Sequence, residues 1–224
     1  MADNFLIEEV NNLITNWKDI LLSEPFKQQL ATIYESIKNE DNLLPKRNLI
    51  FNAFNHFNIE DLNAVIIAQD PYPNPINPNG LAFSVNDGVP IPGSLKNIYK
   101  ELMEEKLIEN MPTSGNITYL AKQGVLLLNS ALTVKAYESN SHAEIWKEFT
   151  DAIIKYINDN TIKTVFLLMG NFAKAKAKNV DENIHCVIKT AHPSPLSCKK
   201  FFGCYCFIKM NKYLKEKKNK EIKF

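Results

Sequence analysis

The sequence predicts a single α/β domain in which helices flank a central four-stranded parallel sheet. Three observations carry that prediction. Four short apolar, β-branched runs stand out: AVIIA (64–68), GVLLLN (124–129), TVFLLMG (164–170) and HCVIKTA (185–191). Runs that are apolar at nearly every position suit strands buried on both faces. Segments with helical periodicity separate them, as crossover connections between parallel strands require. The chain of 224 residues, 45% hydrophobic, can bury one substantial core, and no Gly/Ser linker, low-complexity tract or internal repeat divides residues 1–224.

Residues 1–60 read as a mainly helical part of that domain, with Trp17, Ile20, Leu21 and Phe26 as packing residues. The run 64–68 then enters QDPYPNPINPNG, whose prolines rule out a helix. Ser94 precedes LKNIYKELMEEKL, which places Leu95, Ile98, Tyr99 and Leu102 on one stripe. Ser141 and Glu144 have capping-box spacing ahead of IWKEFTDAIIKYI, where Ile145, Phe149, Ile153 and Tyr156 align. Gly170-Asn171 closes the third run and opens a helix containing Lys174 and Lys176. Residues 215–224 form a basic tail expected to fray.

Composition narrows the function classes. The start MADNFLIEEVNN lacks the basic residues and apolar run of a secretory signal. No apolar stretch approaches the roughly 20 residues that cross a bilayer. A soluble, cytoplasmic, monomeric protein is expected, with no membrane partner. Cys186, Cys198, Cys204 and Cys206 include no CxxC pair, only CxC. Reduced, packed thiols are therefore expected, with neither a metal nor an organic cofactor. Net charge is +1, yet residues 174–224 carry 13 Lys against 4 Asp plus Glu. A basic end can track a phosphate backbone, and it can equally be a solvated tail.

In open parallel sheets ligands bind beyond the carboxyl ends of the strands. Those ends carry Gln69-Asp70-Pro71-Tyr72, Asn129, Gly170-Asn171 and His192-Pro193-Ser194-Pro195-Leu196-Ser197. Each has an ordinary explanation: Asp before Pro starts turns, Asn caps helices, and a lone His satisfies hydrogen bonds. An acid, an amide, a glycine turn and a histidine on one rim make a more specific set than independent turn residues need to supply.

The motifs AQDPYPNPINPNGLAFSV, KQGVLLLNSALTV and AHPSPLS resemble those of the family 1 uracil-DNA glycosylases. Similarity extends from about Trp17 through IFNAF and PIPGSLKNIYKEL to FFGCYCF. The resemblance implies one α/β domain that flips uracil from single- or double-stranded DNA and hydrolyses its N-glycosidic bond. Such an enzyme leaves an abasic site with the backbone uncut, the first step of base excision repair. It implies Asp70 and His192 as catalytic groups: the acid stabilises the sugar cation and orients water, and a neutral histidine donates to O2 of the departing base. Asn129 corresponds to the base-reading amide, matching O4 and N3–H of uracil and mismatching cytosine at both atoms. Tyr72 stands against C5 and would block the thymine methyl. Phe83 would stack on the base, and Gln69 would lie beside O2. On the DNA side the resemblance implies Pro90, Pro92 and Ser94 of the proline loop, Gly170 and Asn171, Ser194 and the wedge Leu196. Lys199 and Lys200, in a segment that departs from the family, are expected to contact phosphates through their charge. A proteinaceous glycosylase inhibitor is an implied partner beside uracil-containing DNA.

The chain also departs from the family pattern. Pro73-Asn74 follow Tyr72 where His-Gly is usual, Asn79 stands where His is common, and Gly93 replaces a proline. Asn171 replaces a serine, and the chain is one residue shorter between Leu196 and Phe201 and near Trp146. A DNA-binding scaffold of little catalytic power is one alternative. An unrelated α/β nucleotide hydrolase is the other, although the sequence contains only 7 Gly and neither GxGxxG nor GxxxxGK[ST].

Overall fold

The computed structural model describes residues 4–224. Three helices open the chain: α1 (Phe5–Asn11), α2 (Trp17–Leu22) and α3 (Phe26–Ile37). Trp17, Leu21 and Phe26 are buried among them, whereas Ile20 only packs against the core from the side. The reading of residues 1–60 as helical misses one piece. Leu43–Leu44 forms a short strand, β1, that pairs antiparallel with β4 (Val134–Lys135). Two residues are too few to show a period, so only the pairing identifies the strand.

The central sheet comprises β2 (Ala64–Ala68), β3 (Val125–Asn129), β5 (Val165–Met169) and β6 (Cys186–Thr190), all parallel, in the order β3-β2-β5-β6. Each strand falls within its apolar run. β2, β3 and β5 are buried almost throughout, while β6 at the sheet edge exposes Lys189. The crossovers are α4 (Gly93–Glu104) with the short α5 (Thr118–Ala121), α6 (Ala143–Asn160), and α7 (Gly170–Lys176). Helix α8 (Cys206–Lys218) closes the fold against β5 and β6. One contiguous apolar core runs from Phe5 to Ile222. Among the described residues, no helix is long and apolar enough to cross a membrane.

Three local expectations are corrected. The Ser141–Glu144 capping box does not form. His142 stands at the N-cap of α6 with no side-chain cap bond, and Ser141 Oγ instead accepts the Lys135 N–H at 2.8 Å. Helix α4 begins at Gly93, so Ser94 lies inside its first turn and Pro92 precedes it. The basic end expected to fray is tied down: Asn211 exchanges two hydrogen bonds with Ile222, Gln123 two with Lys223, and Phe224 packs edge-on against Phe207. Two apolar residues, Ile222 and Phe224, outweigh the local charge once a groove exists to receive them.

Two buried carboxylates anchor the start of α8. Glu101 Oε2 accepts the Gly203 N–H at 2.8 Å and Oε1 accepts the Tyr205 N–H at 3.0 Å. Glu105 accepts from Phe207 N–H and Ile208 N–H, the first-turn amides that a helix leaves unpaired. Burial pushes the Glu105 carboxyl up to about 7, while these amide donors pull against the shift. Cys204 and Cys206 lie beside Glu105, their ligand-capable atoms within 4.8 Å of one another. All four cysteines are free thiols. The clasp holds the segment that follows Leu196. Glu101→Ala should deprive the partly buried Gly203 and Tyr205 amides of their acceptor and lower stability by about 1–3 kcal/mol, more than Glu101→Gln. A urea midpoint within error of the parent would refute that role.

Candidate functional site

The parallel register decides which strand ends meet. Ala68 pairs with Asn129 and Met169 with Thr190, so the loops leaving the four strands emerge on one side. A cavity of about 180 Å³ opens there, lined among others by Gln69, Asp70, Tyr72, Phe83, Asn129 and His192. A water occupies roughly 30 Å³ in the liquid, so this space suits one small heterocycle. Ser94 and Ser139 also reach its wall. Ser139 has no sequence signal, because it stands in a loop without period or motif.

Asn129 is the last residue of β3, 4% exposed. No hydrogen bond engages its amide among the described residues, so a buried donor–acceptor pair remains free for a ligand. Phe83 also lines the cavity and is buried with φ +64°, a region that aromatic residues rarely adopt. Asn79 holds the turn in that shape. Its Nδ2 donates to Ser84 Oγ at 2.8 Å and to the Val85 carbonyl, its Oδ1 accepts the Leu81 N–H, and its carbonyl accepts from Asn52. The residue standing where the family often has His is thus a buried support for the aromatic.

His192 receives the Ser194 N–H on Nδ1 at 3.0 Å. Nδ1 is then unprotonated, and the ring hydrogen of the neutral tautomer resides on Nε2. Burial lowers the His192 pKa, which favours that neutral form at pH 7. The Phe83 and His192 rings lie 6.0 Å apart between centroids. Ser197, absent from the expected set, supports this loop: its Oγ donates to the His192 carbonyl at 2.8 Å and lies 2.9 Å from Ser194 Oγ. Gly170 (φ +90°) lies directly against the histidine, and a Cβ there would sit 2.8 Å from His192 Cβ and 3.2 Å from Cδ2.

Asp70 is half-buried. Burial raises its pKa, and the Asn140 N–H donated to Oδ2 at 2.7 Å opposes the rise. Asn140 lies 70 residues downstream, so no local pattern pairs it with Asp70. Gln69 reaches the rim, but its Nε2 donates to Asn140 Oδ1 at 2.6 Å. Its amide is thereby committed to a neighbouring loop. Tyr72 lines the cavity, and burial holds its phenol protonated far above the usual range.

The remaining expected residues lie outside the cavity wall, except Ser94. Pro90, Asn171, Lys199 and Lys200 are exposed, Pro92 and Ser194 are partly buried, and Leu196 is 100% exposed. The two loops that carry them touch. A Cβ on Gly93 would lie 2.8 Å from Pro195 Cγ, and Asn97 Nδ2 donates to the Pro193 carbonyl at 2.8 Å. Glycine in place of proline at position 93 therefore permits the close approach.

Gly170→Ala should drive the His192 ring from its place, break the Ser194–Nδ1 bond and cost about 1–3 kcal/mol of stability. Imidazole ¹⁵N resonances and a thermal melt would read this. Unchanged His192 resonances would remove the steric role assigned to Gly170.

Comparison with known proteins places the whole chain in a family. The family model described as the uracil DNA glycosylase superfamily matches residues 54–215. A uracil-DNA glycosylase of Flavobacterium johnsoniae is 44% identical over 216 residues, covering 94% of this chain and 97% of its own length. One from Campylobacter concisus is 47% identical over 203 residues, covering 89% and 88%. The crystal structure of mimivirus uracil-DNA glycosylase superposes with a TM-score of 0.83 at 26% identity, covering 99% of this chain and 89% of that one. A mimivirus UNG variant in complex with UGI superposes at 0.85 with 29% identity, covering 93% and 86%. With a family match over most of its length and relatives this similar across nearly whole chains, this protein belongs to the uracil-DNA glycosylase superfamily.

Proposed function

We propose that the protein removes uracil from DNA by hydrolysing the N-glycosidic bond, with the base flipped into the cavity of Asp70, Tyr72, Phe83, Asn129 and His192. The observation that carries this reading is the pairing of a free buried amide, Asn129, with an acid and a neutral histidine in one small cavity.

Asn129 reads the base: its Nδ2 donates to O4 and its Oδ1 accepts from N3–H, two contacts that cytosine would meet with like groups. An unpaired buried polar group costs about 1–3 kcal/mol, so the mismatch is penalised twice. Tyr72 excludes a C5-methyl by bulk. As the glycosidic bond lengthens, positive charge grows on the deoxyribose and negative charge on uracil. The ionised Asp70 stabilises the first and orients water towards C1′. His192, neutral with its proton on Nε2, donates to the developing anion at O2. Base and sugar part without cleavage of the phosphate backbone.

On the DNA side, Ser94 and Ser194 with Pro90, Pro92, Gly170 and Asn171 contact phosphates. Lys199 and Lys200 supply charge, and Leu196 fills the gap left by the flipped nucleotide. The complete exposure of Leu196 supports the last assignment, because an apolar side chain in water gains by insertion between bases. The same rim is the surface for an inhibitor of the UGI type, supported by the mimivirus complex. We assign the protein as a cytoplasmic monomer needing no cofactor. The scaffold alternative needs a misplaced acid, and the Asn140 hydrogen bond to Asp70 argues against it.

Purified protein should release free uracil in EDTA and leave an uncut abasic strand. Asp70→Asn should cut the single-turnover rate by at least about 100-fold with DNA affinity largely kept. Release should fall in acid with a midpoint above the ordinary aspartate value of 3.8, because burial raises Asp70 and only its ionised form works. Strand scission coupled to release, or full activity of Asp70→Asn, contradicts the mechanism.

Leu196→Ala tests the wedge. Extruding a base from duplex DNA costs a few kcal/mol, about, and much less from a flexible single strand. Duplex release should therefore slow far more than single-strand release. Equal slowing on both substrates together with a lower melting temperature would make Leu196 a packing residue instead.

A further inference from the structure

Two non-glycine residues in the loop between β4 and α6 adopt left-handed backbone: Tyr137 (φ +67°) and Asn140 (φ +64°). Both direct their amides at the loop that carries the acid. Tyr137 N–H donates to the Pro73 carbonyl at 2.7 Å, and Asn140 N–H donates to Asp70 Oδ2 at 2.7 Å. Asn140 Oδ1 also accepts from Gln69 Nε2 at 2.6 Å. Three hydrogen bonds thus grip residues 69, 70 and 73, on both sides of Tyr72. Among the described residues, Asp70 Oδ1 has no hydrogen-bond partner.

We propose that Asn140 is the positioning residue of Asp70, and that segment 137–140 is a backbone clamp which ties one carboxylate oxygen and leaves the other for the reacting water or sugar. The proposal rests on the glycosylase reading above for its function, although the clamp itself is a matter of geometry. A carboxylate held by Oδ2 loses its free rotation, so Oδ1 presents one orientation to the cavity. An amide donated to a carboxylate favours the charged form and offsets desolvation. Asparagine suits the position because its short amide tolerates left-handed backbone and can bond locally. A bulky residue would unwind the turn and carry the N–H away.

The loop is rooted well enough to transmit force. Lys135 N–H is held by Ser141 Oγ, Ala136 N–H by the Asn42 carbonyl, and the buried His142 Nδ1 lies 2.8 Å from Thr133 Oγ1, which also accepts from Trp146 Nε1. The clamp also bears on the Pro73-Asn74 departure. Asn74 is exposed and its Oδ1 accepts the Ile76 N–H, so it gives Asp70 no support. Pro73 contributes its carbonyl, and the clamp takes hold there.

The test uses the full chain and three forms of residue 140. Asn140→Gly keeps the left-handed turn and its N–H but drops the link to Gln69. Asn140→Val cannot hold the turn, and a backbone ester between residues 139 and 140 removes the N–H alone. Asp70 is followed by ¹³C-carboxyl NMR titration, beside single-turnover uracil release and KM on single-stranded DNA. The other titratable groups in the cavity wall are Tyr72 and His192; the loop itself carries Tyr137, Glu138 and His142, and Lys135 ends β4 beside it. None of them changes among these variants. The Val and ester forms should titrate Asp70 at higher pH than the parent, since loss of the donor favours the neutral acid. Their release should slow roughly 10- to 100-fold with little change in KM, as a misplaced group does. The Gly form should titrate as the parent does. Parent-like titration in a folded Val or ester form overturns the clamp, and so does an equal shift in the Gly form. If the parent releases no uracil the function reading fails, while the titration still decides the clamp.

Discussion

Parallel pairing of β2 with β3 is the constraint on which the site depends. Ala68 lies opposite Asn129, so the chain leaves both strands on the same side, with Asp70 two residues beyond one and the Asn129 amide at the tip of the other. Adding β5 and β6 in the same direction brings Gly170 and His192 to that rim. An antiparallel partner would have sent one of these groups to the far edge. The apolar strands do more than fill the core: their continuous burial fixes the direction in which every loop points.

Strain and its containment recur around that rim. Phe83, Tyr137 and Asn140 all have left-handed backbone without being glycine, and Gly170 adopts φ +90° against the histidine. Such conformations persist only where neighbours over-determine them. The Asn79–Ser84 network does this for Phe83, and the Thr133–His142–Trp146 cluster roots the loop that carries Tyr137 and Asn140. Phe83 in the cavity wall and the segment that grips Asp70 are thereby held by backbone that cannot relax.

Burial acts on both catalytic candidates in the same sense, disfavouring charge, and the protein answers differently at each. Asp70 receives an amide that favours its ionised form. His192 receives an amide on Nδ1, where only an unprotonated nitrogen can accept it, so the bond supports the neutral ring. One device, a backbone N–H, opposes burial at the acid and joins it at the histidine: it favours the charged form of Asp70, whose pKa burial still raises, and the neutral form of His192.

The sequence by itself determined the four strands, the helices between them and the residue types at the strand ends. These are local signals: apolar runs, a 3.6-residue period and short motifs. It misjudged what depends on partners. The capping box of Ser141 failed because β4 claimed its hydroxyl, and β1 was invisible because two residues carry no period. The basic tail looked frayed until a groove was there to hold Ile222 and Phe224. Only the tertiary structure decided how Asp70, Gln69 and His192 are oriented. Asn140, which holds Asp70 and Gln69, lies far away in the chain, and Gly170 acts on His192 through shape beside the local Ser194 bond. A hydrogen bond across loops 70 residues apart, or a missing Cβ beside a ring, leaves no trace in local composition.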